Sequence, residues 1–540
     1  ILTMDPASPR AEAIALAGDR IAAIGTCKEI EALAGPATEV IDCKAATLLP
    51  GFVESHLHLV LGGAELAHLQ LTHIDGADAL ARAFRDFAMR HPDRPLLMAQ
   101  GGDYAMLDHP MTRHDLDAII ADRPIAITAH DHHTVWANTA ALTAAGILHG
   151  AKTPHGHEVV MAPDGTATGE LREFEAFAPI IALGGEERLN LGIATGAEPS
   201  PWPTEAEQAV DRAKAAAGLA HCARHGITSM VNMDGNRYTL ELLRGLQGEG
   251  KLCARVKVPF HFKPHMDLAE LDRAEEMTRD FADEWLCSGF VKFFMDGVID
   301  SRTAYMLNDY PGQPGHRSAP LFPGPRFDEI ATEVDRRGLQ IAVHAIGDGA
   351  VRSTIDGYEA AARANGARDS RHRIEHIELI DEADIPRLGA LGITASLQPP
   401  HAPGAMDFAV EPTMSEVVGK GRWKDAFLWK SLKDQGAAIA YASDWPVTDV
   451  SVLRGIQAAL TRAPFEGAQD QRLSLHETLH AYTAGGAYAA HWEGLTGSLR
   501  PGMAADIVVL SGDIEAVKPD QIASLDVALT IAGGKVTWRG

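Results

Sequence analysis

The sequence predicts an α/β fold: a (β/α)8 TIM-like barrel, a small β-sandwich domain built from both termini, and a large insertion after the first barrel strand. Three observations carry this. From about residue 205 helical segments alternate with short apolar runs, the rhythm of βα units. Those runs are near-continuously apolar, as strands of a parallel sheet buried on both faces must be. Both termini carry hairpin patterns too short to bury an apolar face alone. A doubly wound open sheet is the alternative, but no Gly-rich phosphate loop follows an early strand.

Residues 13–25 read as a hairpin turning at Gly18-Asp19, and 527–538 as another turning at Gly533-Gly534. The composite β domain is expected over 1–48 plus 495–540, and the barrel over 49–60 plus 205–494. The first barrel strand runs into Pro50-Gly51-Phe52-Val53-Glu54-Ser55-His56-Leu57-His58. The insertion, 61–204, has a helical pattern at 77–90 and strand-like runs at 95–100 and 124–129. Residues 131–142 read as a polar-aromatic turn entering a helix, and 153–163 and 197–203 as loops. The remaining barrel strands are expected at 227–232, 256–261, 290–295, 340–344, 373–376, 393–397 and 438–444, which with the first makes eight.

Bulk properties narrow the function. The 540 residues are 46% hydrophobic and 22% charged, ordinary for a globular chain, and carry a formal net charge of −25. That balance argues against nucleic acid or an anionic membrane as partner, since both need a basic face. No apolar run is long enough to span a bilayer, and no leader peptide is visible. The five cysteines are odd in number and lack a Cys-x-x-Cys pair, so a reducing cytoplasm is expected rather than a disulfide framework. A small-molecule substrate and a homodimer are the expected partners.

Catalytic groups of such a barrel sit at the C-terminal ends of its strands. Those ends supply His56 and His58, Lys292, His344, His376 and Asp444. On one strand, His56 and His58 share a face and can hold one metal ion. Each residue also has a plainer reading: a core histidine, a surface lysine, an aspartate capping a turn. Lys292, however, lies inside Phe290-Val291-Lys292-Phe293-Phe294, where a charge must be paired, neutralised or modified. What weighs most is that all these polar groups fall at the same end of successive strands.

Several motifs then converge. They are the Pro50–His58 run, Val291-Lys292-Phe293-Phe294-Met295-Asp296-Gly297, Ser301-Arg302-Thr303-Ala304 and His344-Ala345-Ile346-Gly347-Asp348-Gly349-Ala350. Further along come Ile374-Glu375-His376, Ser396-Leu397-Gln398-Pro399-Pro400-His401-Ala402, Ser443-Asp444-Trp445-Pro446-Val447 and Ala481-Tyr482-Thr483-Ala484. Together with Trp136-Ala137-Asn138 and Thr168-Gly169-Glu170-Leu171, they resemble the amidohydrolase superfamily. The likeness is to its amidohydrolase-3, YtcJ-like branch, which includes N-substituted formamide deformylase, and it covers essentially the whole chain. Pro400 and Trp445 depart from the residues expected there and border the pocket.

The resemblance implies a metallo-hydrolase with two metal ions, usually zinc (Zn2+). His56, His58 and Asp444 would bind one ion and His344 and His376 the other. Lys292, carbamylated by carbon dioxide, would bridge them. A water shared by the ions would act as hydroxide on the substrate carbonyl, with Asp444 as general base and then acid. The reaction implied is cleavage of a C–N bond in an amide, N-substituted formamide or cyclic amide. Deamination of a heterocycle and a non-catalytic, metal-stabilised binding protein are the alternatives. Candidate substrate contacts are His401, His133, Trp136, Glu170, Arg302 and Trp445. Asp296 and Asp300 are expected to orient groups around the metals. His132, His155 and His157 fall in loops and receive no role.

Overall fold

The computed structural model describes residues 1–540 other than 72, 73, 131, 154, 155, 407 and 412. Asp131, read above as part of a turn, and His155, read as a loop residue, therefore lie outside the described residues. The chain divides into two compact units, one formed by Ile1–Leu59 with Leu219–Gly540, the other by Val60–Gly218.

In the first unit the strand Phe52–Leu57 pairs in parallel with Ile227–Asn232, which pairs in parallel with Arg255–Lys257. The strand expected over 256–261 is in fact broken at Pro259, whose nitrogen has no proton to give the ladder. Its two pieces find different neighbours. Arg255–Lys257 also pairs with Leu286–Cys287, a short strand the sequence did not reveal, while Phe260–His261 pairs with Phe290–Phe294. From there Phe290–Phe294, Gln340–Ala345, Arg373–His376, Thr394–Leu397 and Ala438–Tyr441 follow one another, every pair parallel. The residues just past the last strand meet the first: the Asp444 N–H donates to the His56 carbonyl at 2.9 Å, and the His58 N–H to the Trp445 carbonyl at 2.7 Å.

Burial explains the patterning. Every residue of Phe52–Leu57 and of Gln340–Ala345 is buried, so their apolar runs need not alternate. The intervening helices are amphipathic: Gly324–Arg336 buries Phe327, Ile330, Ala331 and Val334, one face at helical spacing. Gly51 is required by close approach, because a Cβ there would overlap the Thr228 side chain.

Strands near the two termini pair with one another. Leu48–Pro50 pairs antiparallel with Ile507–Leu510, which continues to Val527–Ala532 and Lys535–Arg539. Ala13–Ala17 and Arg20–Gly25 form a separate hairpin. Ile21 of that hairpin shares one apolar cluster with Leu48, Ile507, Val509, Leu529 and Ile531.

The Val60–Gly218 unit holds a six-stranded sheet in the order Leu69–Gln70, Leu97–Gly102, Ile125–Ala129, Thr134–Ala137, Ala167–Arg172, Glu158–Met161. Thr134–Ala137, expected within a turn, is thus a strand, antiparallel to Ile125–Ala129. Val135 and Trp136 favour the pleated surface, and the helix begins only at Thr139, where Asn138 caps it by accepting from the Ala141 N–H. Among the described residues no helix is long and apolar enough to cross a membrane.

This unit carries a half-buried ion cluster with a testable pH signature. Glu186 lies 3.1 Å from His68 Nε2 and 2.9 Å from Lys214 Nζ. Burial alone pushes its carboxyl up, but His68 and Lys214 outweigh burial and hold it at about 2, against an ordinary 4.5. A depressed carboxyl stabilises the fold above its unfolded value and loses that contribution as pH falls through the folded one. Between pH 4.5 and about 2 the wild type is expected to lose about 3 kcal/mol that Glu186→Gln does not. Unfolding midpoints of the two proteins should therefore converge over that window. Parallel curves would show that the cluster contributes nothing.

Candidate metal centre and active site

Six of the residues singled out at strand ends lie in one compact unit, and five are tied together by short contacts. His56 and His58 leave the first strand on one face. Their Nε2 atoms each lie 3.1 Å from the same oxygen, Asp444 Oδ1. That oxygen is buried and has no hydrogen-bond partner. His376 joins them: its ring centre is 4.9 Å from that of His56 and 4.5 Å from that of His344. His56, His376 and Asp444 each place a ligand atom within 4.8 Å of the others.

The backbone pays locally for this convergence. His376, Ile377 and Asp444 have φ of 77°, 47° and 61°, the left-handed region that non-glycine residues avoid. Such strain costs about 1–3 kcal/mol per residue and persists only where the surroundings enforce it. Here the sharp turns fall at the two strand ends that deliver His376 and Asp444.

Partners fix each ring. His56 Nδ1 is 2.7 Å from Glu375 Oε2, and His58 Nδ1 is 2.6 Å from Asp234 Oδ1. His376 Nδ1 faces Gln398 Oε1 at 2.8 Å, and His344 Nε2 faces the Gly297 carbonyl at 3.1 Å. Glu375 is itself held by Arg373, Nε at 2.9 Å from Oε1 and Nη2 at 3.1 Å from Oε2. The same Nη2 donates to the Ser55 carbonyl and to Ser396 Oγ. Arg373 and Glu375 are fully buried, so removing one charge strands the other. Arg373→Met is expected to cost about 3–5 kcal/mol of stability, read from the denaturant midpoint. A loss below 1 kcal/mol would contradict the pairing.

The sequence reading passed over Asp234, Arg373, Glu375 and Gln398 as functional residues. Asp234 follows the strand Ile227–Asn232, and looking for a polar group at every strand end would have found it. Glu375 and Gln398 stand inside motifs already noted, but only the fold shows which histidine each one meets.

The electrostatics call for a cation. Burial would push the His58 imidazole down, but Asp234 and Asp444 hold it at about 10. Asp444 resists burial through His56 and His58 and stays well below the usual carboxylate range. An imidazole between two carboxylates keeps a proton until a metal ion replaces it. Buried imidazoles whose N–H groups are directed outward, with an unpartnered carboxylate oxygen between two of them, fit a divalent ion.

Lys292, on the strand Phe290–Phe294, is 1% exposed and its Nζ has no hydrogen-bond partner. Its Nζ lies 5.0 Å from the centre of the Phe294 ring. Burial pushes the amine down to about 8, although Glu375 and Asp444 pull the other way.

The expected substrate contacts divide. His401 is at the centre: its ring is parallel to that of His376 at 5.8 Å, Nε2 is 3.7 Å from Asp444 Oδ2, and Nδ1 is 3.6 Å from Glu378 Oε1. Trp445 follows Asp444 and is buried, its indole 5.2 Å from the His221 ring. Arg302 lies in the loop after the Lys292 strand, where its carbonyl is 3.3 Å from His316 Nε2. Asp296 in that loop accepts from the N–H groups of Tyr305, Ile346 and Gly347, which binds two strand ends together. Asp300 pairs with Thr413 instead.

His133, Trp136 and Glu170 belong to the Val60–Gly218 unit. There His133 pairs with Glu173 at 3.0 Å and Glu170 with Arg172 at 2.7 Å. Trp136 packs into that unit's core with Leu97, Ile127 and Met106. Its indole is committed to packing, which its apolar setting within a strand explains.

Comparison with known proteins gives the family and the fold. The sequence profile of the amidohydrolase family matches residues 39–538. The chain is 28% identical to the YtcJ protein of Bacillus subtilis strain 168 over 548 residues, covering 100% of this chain and 98% of that one. It is 25% identical to N-substituted formamide deformylase of Arthrobacter pascens over 563 residues, covering 100% and 97%. In fold it is similar to a metal-dependent hydrolase from Pyrococcus horikoshii, with a TM-score of 0.73, 23% identity and 94% of each chain covered.

Proposed function

We propose that this chain, which belongs to the amidohydrolase family in its YtcJ-like branch, hydrolyses a non-peptide C–N bond in a small amide, N-substituted formamides and cyclic amides being the first classes to try. The observation that carries the reading is the contact of His56 and His58 with one unpartnered oxygen of Asp444. Eight of the parallel strands, with the broken third counted once and the two-residue Leu286–Cys287 left aside, are read as a closed (β/α)8 barrel, and the terminal sheets as a composite sandwich domain.

His56, His58 and Asp444 would hold one divalent ion, His344 and His376 a second, with zinc the first choice. Such ions supply Lewis acidity, both to a water and to the substrate carbonyl. Lys292 would lie between them as a carbamate. Its amine nitrogen adds to the carbon of carbon dioxide and loses a proton, so a buried cation becomes an anion. The depressed amine favours this, since only the neutral form adds. Asp444 takes the proton of the attacking water and delivers it to the leaving nitrogen, as base and then acid. His401, 3.7 Å from Asp444 Oδ2, would contact the group that nitrogen carries.

A hydrolysis panel tests the reading: N-substituted formamides, cyclic amides, esters and amino-heterocycles, each with the products identified. Release of an amine and a carboxylate supports it. Release of ammonia from a heterocycle would point to deamination instead, and no turnover by metal-loaded enzyme would favour a binding role.

A further inference from the structure

We propose that Gln398 keeps the second cation position, at His344 and His376, weaker than the first, at His56, His58 and Asp444. The inference rests on the metal reading above and concerns how the chain divides affinity between two positions.

Every candidate histidine ligand directs one ring nitrogen at a partner, and the partners differ in charge. The rings of His56 and His58 face carboxylates, Glu375 at 2.7 Å and Asp234 at 2.6 Å. The rings of His344 and His376 face neutral groups, the Gly297 carbonyl at 3.1 Å and the Gln398 amide at 2.8 Å. The bond made by one nitrogen leaves the other as the ligand, which directs Nε2 of His56, His58 and His376 and Nδ1 of His344 to metal. A carboxylate polarises the N–H it accepts and stabilises the positive charge that coordination draws onto the ring, so it makes the imidazole a stronger donor. An amide or backbone carbonyl does this less. The first position therefore has two buttressed imidazoles plus Asp444, while His376 brings to the second an imidazole that Gln398 leaves without a buttressing charge.

Asp296 does not undo the contrast. Asp296 Oδ1 is 3.7 Å from His344 Nε2, beyond hydrogen-bond reach. Its oxygens already accept from three backbone N–H groups. Gln398 is buried at 3% exposure and its Nε2 has no hydrogen-bond partner, so no other hydrogen bond from its side-chain amide competes with the one to His376. Glutamate matches its length and would place a carboxylate on the same ring.

The test equilibrates the full-length enzyme in zinc buffers of graded free concentration and measures bound zinc per chain by elemental analysis. Wild type is expected to fill in two steps. Gln398→Glu should move only the upper step, to about tenfold or more lower free zinc, and Glu375→Gln only the lower step, to higher free zinc. Gln398→Met, which removes the acceptor without adding a buried charge, should move the upper step to higher free zinc, and it decides the matter if the glutamate variant does not fold. Coincident steps in wild type, or an upper step unmoved in both Gln398 variants, would overturn this inference alone. Absence of any bound zinc would overturn it together with the metal reading.

Discussion

Asp444→Asn is expected to lower kcat/KM for amide hydrolysis by about 10³-fold or more. General acid–base catalysis alone contributes about 10²–10⁴-fold, and Asp444 also stands where a metal ligand would. The amide keeps the shape of the side chain but carries no charge and cannot take up a proton. It also faces His56 Nε2 and His58 Nε2, both 3.1 Å from Oδ1, without the charge that balances them. The variant should still fold, because the strand end is fixed by backbone bonds: the Asp444 N–H to the His56 carbonyl, and the Val447 N–H to the Asp444 carbonyl. A single-turnover assay with zinc in excess separates lost proton transfer from lost metal. Activity within tenfold of wild type would remove Asp444 from the chemistry.

Lys292→Ala is expected to reduce turnover by about 100-fold or more, beyond the loss that follows removal of an outer-sphere partner of a metal ligand. Its Nζ is buried with no hydrogen-bond partner, so little in the fold itself depends on the charge. What the substitution removes is the anionic bridge that the carbamate would provide. A short carboxylate such as formate or acetate, added in excess, should enter the space and restore part of the activity. Lys292→Arg should not be rescued, since guanidinium stays protonated and adds no carbon dioxide. Full activity in Lys292→Ala without any additive would exclude a bridging role.

Both expectations draw on residues visible in the sequence, and the reason is geometric. Strand ends in a βα repeat can be read from apolar runs, and a titratable group at the end of such a run stands out. His56, His58, Lys292, His344, His376 and Asp444 were legible on that ground. Their partners were less so. Glu375 is next to His376 in sequence, yet its carboxylate meets His56 from the first strand, 2.7 Å from Nδ1, a pairing no local pattern encodes. Asp234 reaches His58 from a strand distant in sequence, which no local pattern encodes. The break at Pro259 was visible in composition, but where the two pieces would pair depends on their neighbours. Thr134–Ala137 misled because its polar start resembles a turn, while Val135 and Trp136 are buried. Trp136 shows what the motif likeness left unread: its indole is buried in a core with Leu97 and Ile127.

The central claim is that these far-apart side chains surround a pair of cations. Anomalous diffraction at the zinc edge, from crystals of the metal-loaded enzyme, tests it most directly. The account predicts two peaks about 3.5–4 Å apart, one bounded by His56, His58 and Asp444 and the other by His344 and His376, with continuous density from Lys292 between them. No peak at these residues, or ions bound only elsewhere on the chain, would contradict it.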